Sequence, residues 1–128
     1  MGGTLTDQHF VTRDRLGRLL GFLARQIKDG KGPTALGVAA DEVTSIVVNK
    51  NGLATVMGSG NAYFIFADHF PGASNANERV VAGQPLTYMG YKVWKVAPGG
   101  TFNLANRPTT GFYTVDAVSG VVYPSNPY

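Results

Sequence analysis

His9 stands in the run densest in reactive side chains, Asp7-Gln8-His9-Phe10-Val11-Thr12-Arg13-Asp14-Arg15-Leu16-Gly17-Arg18-Leu19. A neutral imidazole is the usual general base for a serine hydroxyl. Where a strand end turns toward a helix, it can face a cleft. Arg13, Arg15 and Arg18 add three permanent positive charges, and a guanidinium fork matches a carboxylate with two parallel hydrogen bonds. Taken alone, these residues leave two readings open. One is a base beside an anion-recognising cluster; the other is a structural histidine below a solvated helix face.

The remaining candidates are weaker. Ser59 in Gly58-Ser59-Gly60 lacks the Gly-x-Ser-x-Gly elbow of a strand-to-helix nucleophile and reads as a tight turn. Thr4 follows Gly2-Gly3 in a chain numbered from Met1, so it has no free terminal amine to activate it. His69 in Asp68-His69-Phe70-Pro71 reads as a strand end entering a loop. Two histidines, each beside an aspartate but far apart, do not make the three or four ligands zinc requires, so neither a metal nor a cofactor is expected. Trp94, Tyr88, Tyr91 and Tyr113 fall in strand patterns and read as core or sheet-face residues.

The elements that must hold these groups follow from periodicity. Leu16, Leu19, Leu20, Leu23 and Ile27 recur at helical spacing, with Arg15, Arg18, Arg25 and Lys28 between them and Gly30 and Gly32-Pro33 to end the helix. Strands are expected at 35–39, 44–48, 53–57, 62–67, 86–89, 91–96, 113–118 and 120–123. Asn49-Lys50-Asn51-Gly52 marks a hairpin between the second and third of these. Residues 71–78 read as a loop. Thr4-Leu5-Thr6 resembles a strand end feeding the helix, with nothing before it to pair. One helix followed by many strands therefore suggests the latter part of an α/β sheet begun on another chain.

Composition bounds the rest. The chain is 44% apolar and 15% charged, enough for a core and too little charge for disorder, so residues 1–128 are expected to form a single domain. The net charge of +3 is mild, and no basic stripe with interleaved aromatics supports a nucleic-acid partner. With no cysteine, disulfides and thiolate chemistry are excluded. No apolar run is long enough to cross a bilayer, and no membrane association is expected. Residues 1–7 lack the basic and apolar regions of a signal peptide. An upstream signal would leave no trace here, so the compartment stays open.

Three segments in order resemble the cyanophycinases and related aspartyl dipeptidases, a group of serine peptidases. They are Asp7-Gln8-His9-Phe10 followed by Arg13-x-Arg15-x-Gly17-Arg18-Leu19; Gly37-x-x-x-Asp41-Glu42-x-Thr44 before a strand; and Val56-Met57-Gly58-Ser59-Gly60 before another. A looser similarity continues from Leu86 to Ala105. The resemblance implies a flavodoxin-like or class I glutamine-amidotransferase-like α/β sheet, of which this chain would be the latter, carboxy-terminal half with a β-rich end.

It further implies that His9 is the catalytic base and Glu42 the acid that fixes its tautomer. Asp7 and Gln8 would shape the substrate pocket, and Arg13, Arg15 and Arg18 would bind carboxylates of a β-aspartyl peptide such as cyanophycin. The family's serine lies upstream of the Asp-Gln-His-Phe segment, so an amino-terminal partner chain would carry the nucleophile, with a homodimer of the two-chain unit possible. Asp14 stands where the family usually has glycine, and Val43 where it has an acidic residue. The alternatives are an aspartyl or isoaspartyl dipeptidase of the same fold, and a non-catalytic β-rich module binding an acidic partner.

Overall fold

A computed structural model describes residues 4–68 and 79–128 of the chain. The elements run β1 (Thr4–Gln8), α1 (Leu16–Lys28), β2 (Thr34–Ala40), β3 (Thr44–Val48), β4 (Leu53–Gly58), β5 (Ala62–Asp68), β6 (Tyr88–Val96), β7 (Thr101–Asn103), β8 (Tyr113–Val118) and β9 (Val121–Tyr123). A mixed sheet in the order β1-β2-β5-β6-β8-β9 forms the backbone of the fold, and β3-β4-β7 form a second, smaller sheet. Helix α1 covers one face of the large sheet while the small sheet packs on the other. The protein is thus α/β, with strands predominating.

The first crossover sets the geometry of everything near His9. Strand β1 passes through α1 to β2, and the two strands pair in parallel, Gln8 opposite Ala40 at their ends. Two parallel strands need such a connection because a tight turn cannot return the chain to the same end. All other strand pairs in the two sheets are antiparallel, and β3–β4 and β8–β9 are joined by short turns.

Strand β5, paired on both sides, alternates between two cores. Tyr63, Ile65 and Ala67 meet Leu16, Leu19, Leu20 and Leu23 of α1, whereas Ala62, Phe64 and Phe66 meet Ala54, Val56, Trp94 and Phe102 on the small-sheet side. A strand buried on both faces reads as a continuous apolar run, which 62–67 is. Gly37 of β2 is needed for this packing, because a Cβ there would stand 3.0 Å from Leu19 Cδ2.

The expected helix and the hairpin at 44–58 match the observed elements. Two details differ. The runs 86–89 and 91–96 are one strand, interrupted between Tyr88 and Tyr91 by a register irregularity at Gly90, whose φ is +81°. Asp116 fills the gap by accepting the Gly90 N–H at 2.8 Å. Strand β7 is too short for periodicity to reveal and exists because Phe102 stacks on Phe64, ring centroids 4.1 Å apart. The expected loop at 71–78 and His69 lie outside the described residues.

The tyrosines and Trp94 are structural, as their strand positions suggested. Tyr91 donates to the Leu20 carbonyl at 2.9 Å, Tyr88 to the Asp68 carbonyl at 2.9 Å, and Trp94 to the Thr110 carbonyl at 2.8 Å. Burial pushes the Tyr63 hydroxyl up to about 12, with the nearby charge of Asp41 adding to it, and burial pushes Tyr113 up to about 12 as well.

The folded chain therefore holds these protons more tightly than the unfolded chain, where tyrosine titrates near about 10. That stability is complete below about pH 10 and declines as pH rises toward 12. Thermal melts from pH 8 to 11.5 should show the midpoint falling only above about 10, with Tyr63→Phe reducing the slope.

Candidate functional site

The site forms where β1 and β2 end side by side. His9 follows β1, and the Asp41-Glu42-Val43-Thr44 turn follows β2, so adjacent parallel strands deliver both segments to one edge. Carboxyl ends of parallel strands are the usual location of ligand and catalytic groups in α/β sheets. His9 itself adopts a left-handed backbone, φ 52°. This turns its ring away from the strand direction, and the Phe10 N–H returns to the Ala40 carbonyl at 3.2 Å.

The imidazole Nδ1 lies 2.8 Å from Glu42 Oε1. In the neutral ring this contact favours the tautomer with the proton on Nδ1, donated to the carboxylate, and leaves Nε2 as the basic nitrogen. The ring and carboxylate are 43% and 48% exposed, so the pair stands at the surface, where a reacting group can reach it. The two residues lie 33 positions apart in sequence; the β1–β2 register brings them together.

The Glu42 turn is itself fastened. Asp41 accepts the Val11 N–H at 3.3 Å and the Asn61 N–H at 3.2 Å, tying the His9 loop, the Glu42 turn and the start of β5 to one carboxylate. Thr44 Oγ1 donates to the Glu42 carbonyl at 2.9 Å and accepts the Gly60 N–H at 3.0 Å.

Gly58, at φ +106°, and Gly60 allow this approach. A Cβ at 58 would collide with the Val43 carbonyl, and one at 60 would stand 2.6 Å from Thr44 Oγ1. Ser59 between them donates its N–H to the Val43 carbonyl at 3.0 Å, in the bend that joins β4 to β5. Val43, at φ 52° and 81% exposed, is an outlier for a β-branched residue and lies directly beside Glu42.

The residues expected to bind substrate fall into two groups. Asp7, its side chain 4% exposed, receives Arg18 on both oxygens at 2.7 and 2.8 Å and Arg15 at 3.1 Å. Arg15 also donates to the Gln8 carbonyl at 3.1 Å. Burial alone would raise the Asp7 carboxyl, but hydrogen bonds from Arg18, Arg15 and the Gln8 N–H outweigh it, and its pKa is lowered. These three side chains are therefore committed to one another beneath the His9 loop. Gln8 and Arg13 are exposed, and Arg13 has no ion-pair partner among the described residues.

Two contacts at this loop were not legible as site features. Asp41 was visible only as part of a motif. The negative charge of Asp14, placed among arginines, is taken up by the Tyr128 hydroxyl, which donates to Asp14 Oδ1 at 2.6 Å across 114 positions.

A mixed α/β sheet with an exposed histidine–glutamate contact at the ends of two parallel strands defines the class of this protein. Known proteins narrow that class. The chain is 31% identical over 104 residues to cyanophycinase of Trichormus variabilis (strain ATCC 29413 / PCC 7937) and, to the same extent, to cyanophycinase of Nostoc sp. (strain PCC 7120 / SAG 25.82 / UTEX 2576). The match covers 80% of this chain and 32% of each relative, so the chain corresponds to about a third of the length of these proteins. It is cyanophycinase-like over that stretch. No family model matches the chain, and no solved structure does.

Proposed function

We propose that this chain supplies the general base and its acidic partner to a serine peptidase that cleaves β-aspartyl or aspartate-containing peptides such as cyanophycin. The observation that carries the reading is the 2.8 Å His9 Nδ1–Glu42 Oε1 contact at the carboxyl ends of two parallel strands. In this reading His9 Nε2 takes the proton of a serine hydroxyl as its oxygen attacks the scissile carbonyl. The Nδ1 proton stays on the ring, held by Glu42. The imidazolium then returns a proton to the departing amine, and a water deacylates the serine by the same route.

The serine would come from a polypeptide segment outside this chain. Strand β1 ends the order of the large sheet among the described residues, and its outer edge could receive a further strand. An added parallel strand would continue the sheet in a flavodoxin-like or glutamine-amidotransferase-like manner, and its carboxyl end would emerge beside His9. A partner chain joined this way would form an obligate, largely apolar interface, and two such units could pair as a homodimer. Arg13 and Gln8, both exposed in the segment around His9, would meet a substrate carboxylate or backbone. Arg15, Arg18 and Asp7 would contribute by fixing the floor of that surface.

The test is to isolate the native assembly containing this chain, measure its intact mass and assay it on cyanophycin and on β-aspartyl-arginine. Release of β-aspartyl peptides or amino acids by an assembly heavier than this chain supports the proposal. An assembly of this chain alone, inert toward both substrates, overturns it.

A further inference from the structure

We infer that Tyr128 is a positioning residue for His9, acting through a clasp it forms with Asp14 and Phe10. The inference rests on the reading of His9 as a base. The loop from His9 to Arg15 holds itself in a compact coil: Arg13 N–H bonds the His9 carbonyl at 3.1 Å, Asp14 N–H the Val11 carbonyl at 3.0 Å, and Arg15 N–H the Phe10 carbonyl at 3.0 Å. Such a coil keeps its internal shape yet can pivot as a unit unless both ends are anchored. At the His9 end the anchors are Ala40 and Asp41.

At the other end the Arg15 side chain is held by Asp7 and the Gln8 carbonyl, and Tyr128 anchors Asp14 and the start of the helix. The Tyr128 hydroxyl donates to Asp14 Oδ1 at 2.6 Å and accepts the Leu16 N–H at 3.2 Å. Leu16 opens α1, and the preceding residue, Arg15, gives the helix no side-chain cap. One distant hydroxyl thus satisfies a helix donor that a local Ser, Thr or Asp ordinarily satisfies. It also fixes the carboxylate of Asp14, whose backbone lies in the left-handed region at φ 47°. Burial and the Asp14 bond raise the pKa of this hydroxyl, so it remains a donor throughout the ordinary pH range.

The ring adds a second constraint. It meets Phe10 edge-on, centroids 5.7 Å apart, and Tyr63 at 6.0 Å, while Phe10 and Tyr63 lie 5.3 Å apart. Phe10 is fully buried and directly follows His9, so the seat of its ring sets where His9 leaves the core. The 124–128 segment is held in turn by Tyr113, whose hydroxyl donates to the Pro127 carbonyl at 2.6 Å. A chain of contacts therefore runs from β8 through Tyr128 to the residue beside the base. Misplacing a reacting group by about 1 Å can cost roughly a hundredfold in rate, so a remote anchor of this kind can matter to turnover.

The test compares Tyr128→Phe, which keeps the ring and removes the hydroxyl, with Asp14→Ala, Asp14→Asn and the control Tyr123→Phe on exposed β9. The primary readout is the nitrogen-15 spectrum of the His9 ring in the chain as it stands, which reports the tautomer held by Glu42 without requiring activity. Tyr128→Phe and Asp14→Ala should shift His9 from a single Nδ1–H tautomer toward a mixture and speed exchange of the Leu16 amide about tenfold or more. Asp14→Asn, which keeps an acceptor for the hydroxyl, should restore most of the wild-type spectrum, and Tyr123→Phe should leave it unchanged.

In the assembly, kcat should fall about three- to thirtyfold in Tyr128→Phe with KM little altered. A His9 spectrum identical to wild type in both Tyr128→Phe and Asp14→Ala overturns the clasp, even where the assembly hydrolyses its substrate. A His9 response in an assembly without turnover would sustain the clasp and overturn only the peptidase reading.

Discussion

Replacing Asp7 with alanine should destabilise the chain by about 2–3 kcal/mol, the largest stability loss expected from any single polar side chain here. The carboxylate is 4% exposed and holds two guanidinium groups, and removing one partner of a buried pair costs more than the pair itself contributes. The estimate stays below the full cost of a sealed pair because Arg15 and Arg18 are 22% and 49% exposed and can turn toward water. For a domain of this size the change corresponds to a fall of roughly 10 °C in melting temperature.

Arg18→Ala should cost less, because Asp7 keeps Arg15 and the Gln8 N–H. The sign of the pH dependence follows from the lowered carboxyl of Asp7: its contribution is present above about pH 4 and is lost as pH falls through the depressed folded value. Asp7→Asn should flatten the acid limb of stability against pH. Equal acid sensitivity in wild type and Asp7→Asn would show that the ion cluster does not hold the fold.

The second large effect is on turnover. In the assembly that carries the nucleophile, His9→Ala should lower kcat roughly ten-thousandfold or more while leaving KM within a few fold, because the base acts in the transition state and not in binding. Glu42→Gln should produce a smaller but still large loss, roughly a hundred- to ten-thousandfold, since an amide can present its NH2 to Nδ1 and favour the wrong tautomer. The double variant should lose little more than His9→Ala alone, as groups acting as a unit do. A KM effect with unchanged kcat in His9→Ala would instead assign His9 to binding. That outcome favours the non-catalytic module.

The helix was legible because five apolar residues recur at its period, and the 44–58 hairpin because Asn51-Gly52 supplies the positive φ its turn adopts at Gly52. The His9–Glu42 pair was legible only through resemblance, since nothing in a 33-residue separation states that two strands end in register. The fate of the arginines was not legible. Charges at 13, 15 and 18 look alike in sequence, yet two of them turn inward to Asp7 and one faces solvent. Tyr128 was invisible for the same reason: its partners, Asp14 and Leu16, lie 114 and 112 positions away, and no local pattern announces a helix capped from that distance. Short-range chemistry is written in the sequence, whereas which charge finds which partner is decided by packing.

Covalent capture is the sharpest test of whether His9 serves a serine outside this chain. The native assembly would be treated with a fluorophosphonate, digested, and the modified residue identified by mass spectrometry. The expected result is a single modified serine on polypeptide beyond these 128 residues, with labelling abolished in His9→Ala. Modification of Ser59, or no labelled serine at all in an assembly that retains its fold, would contradict it.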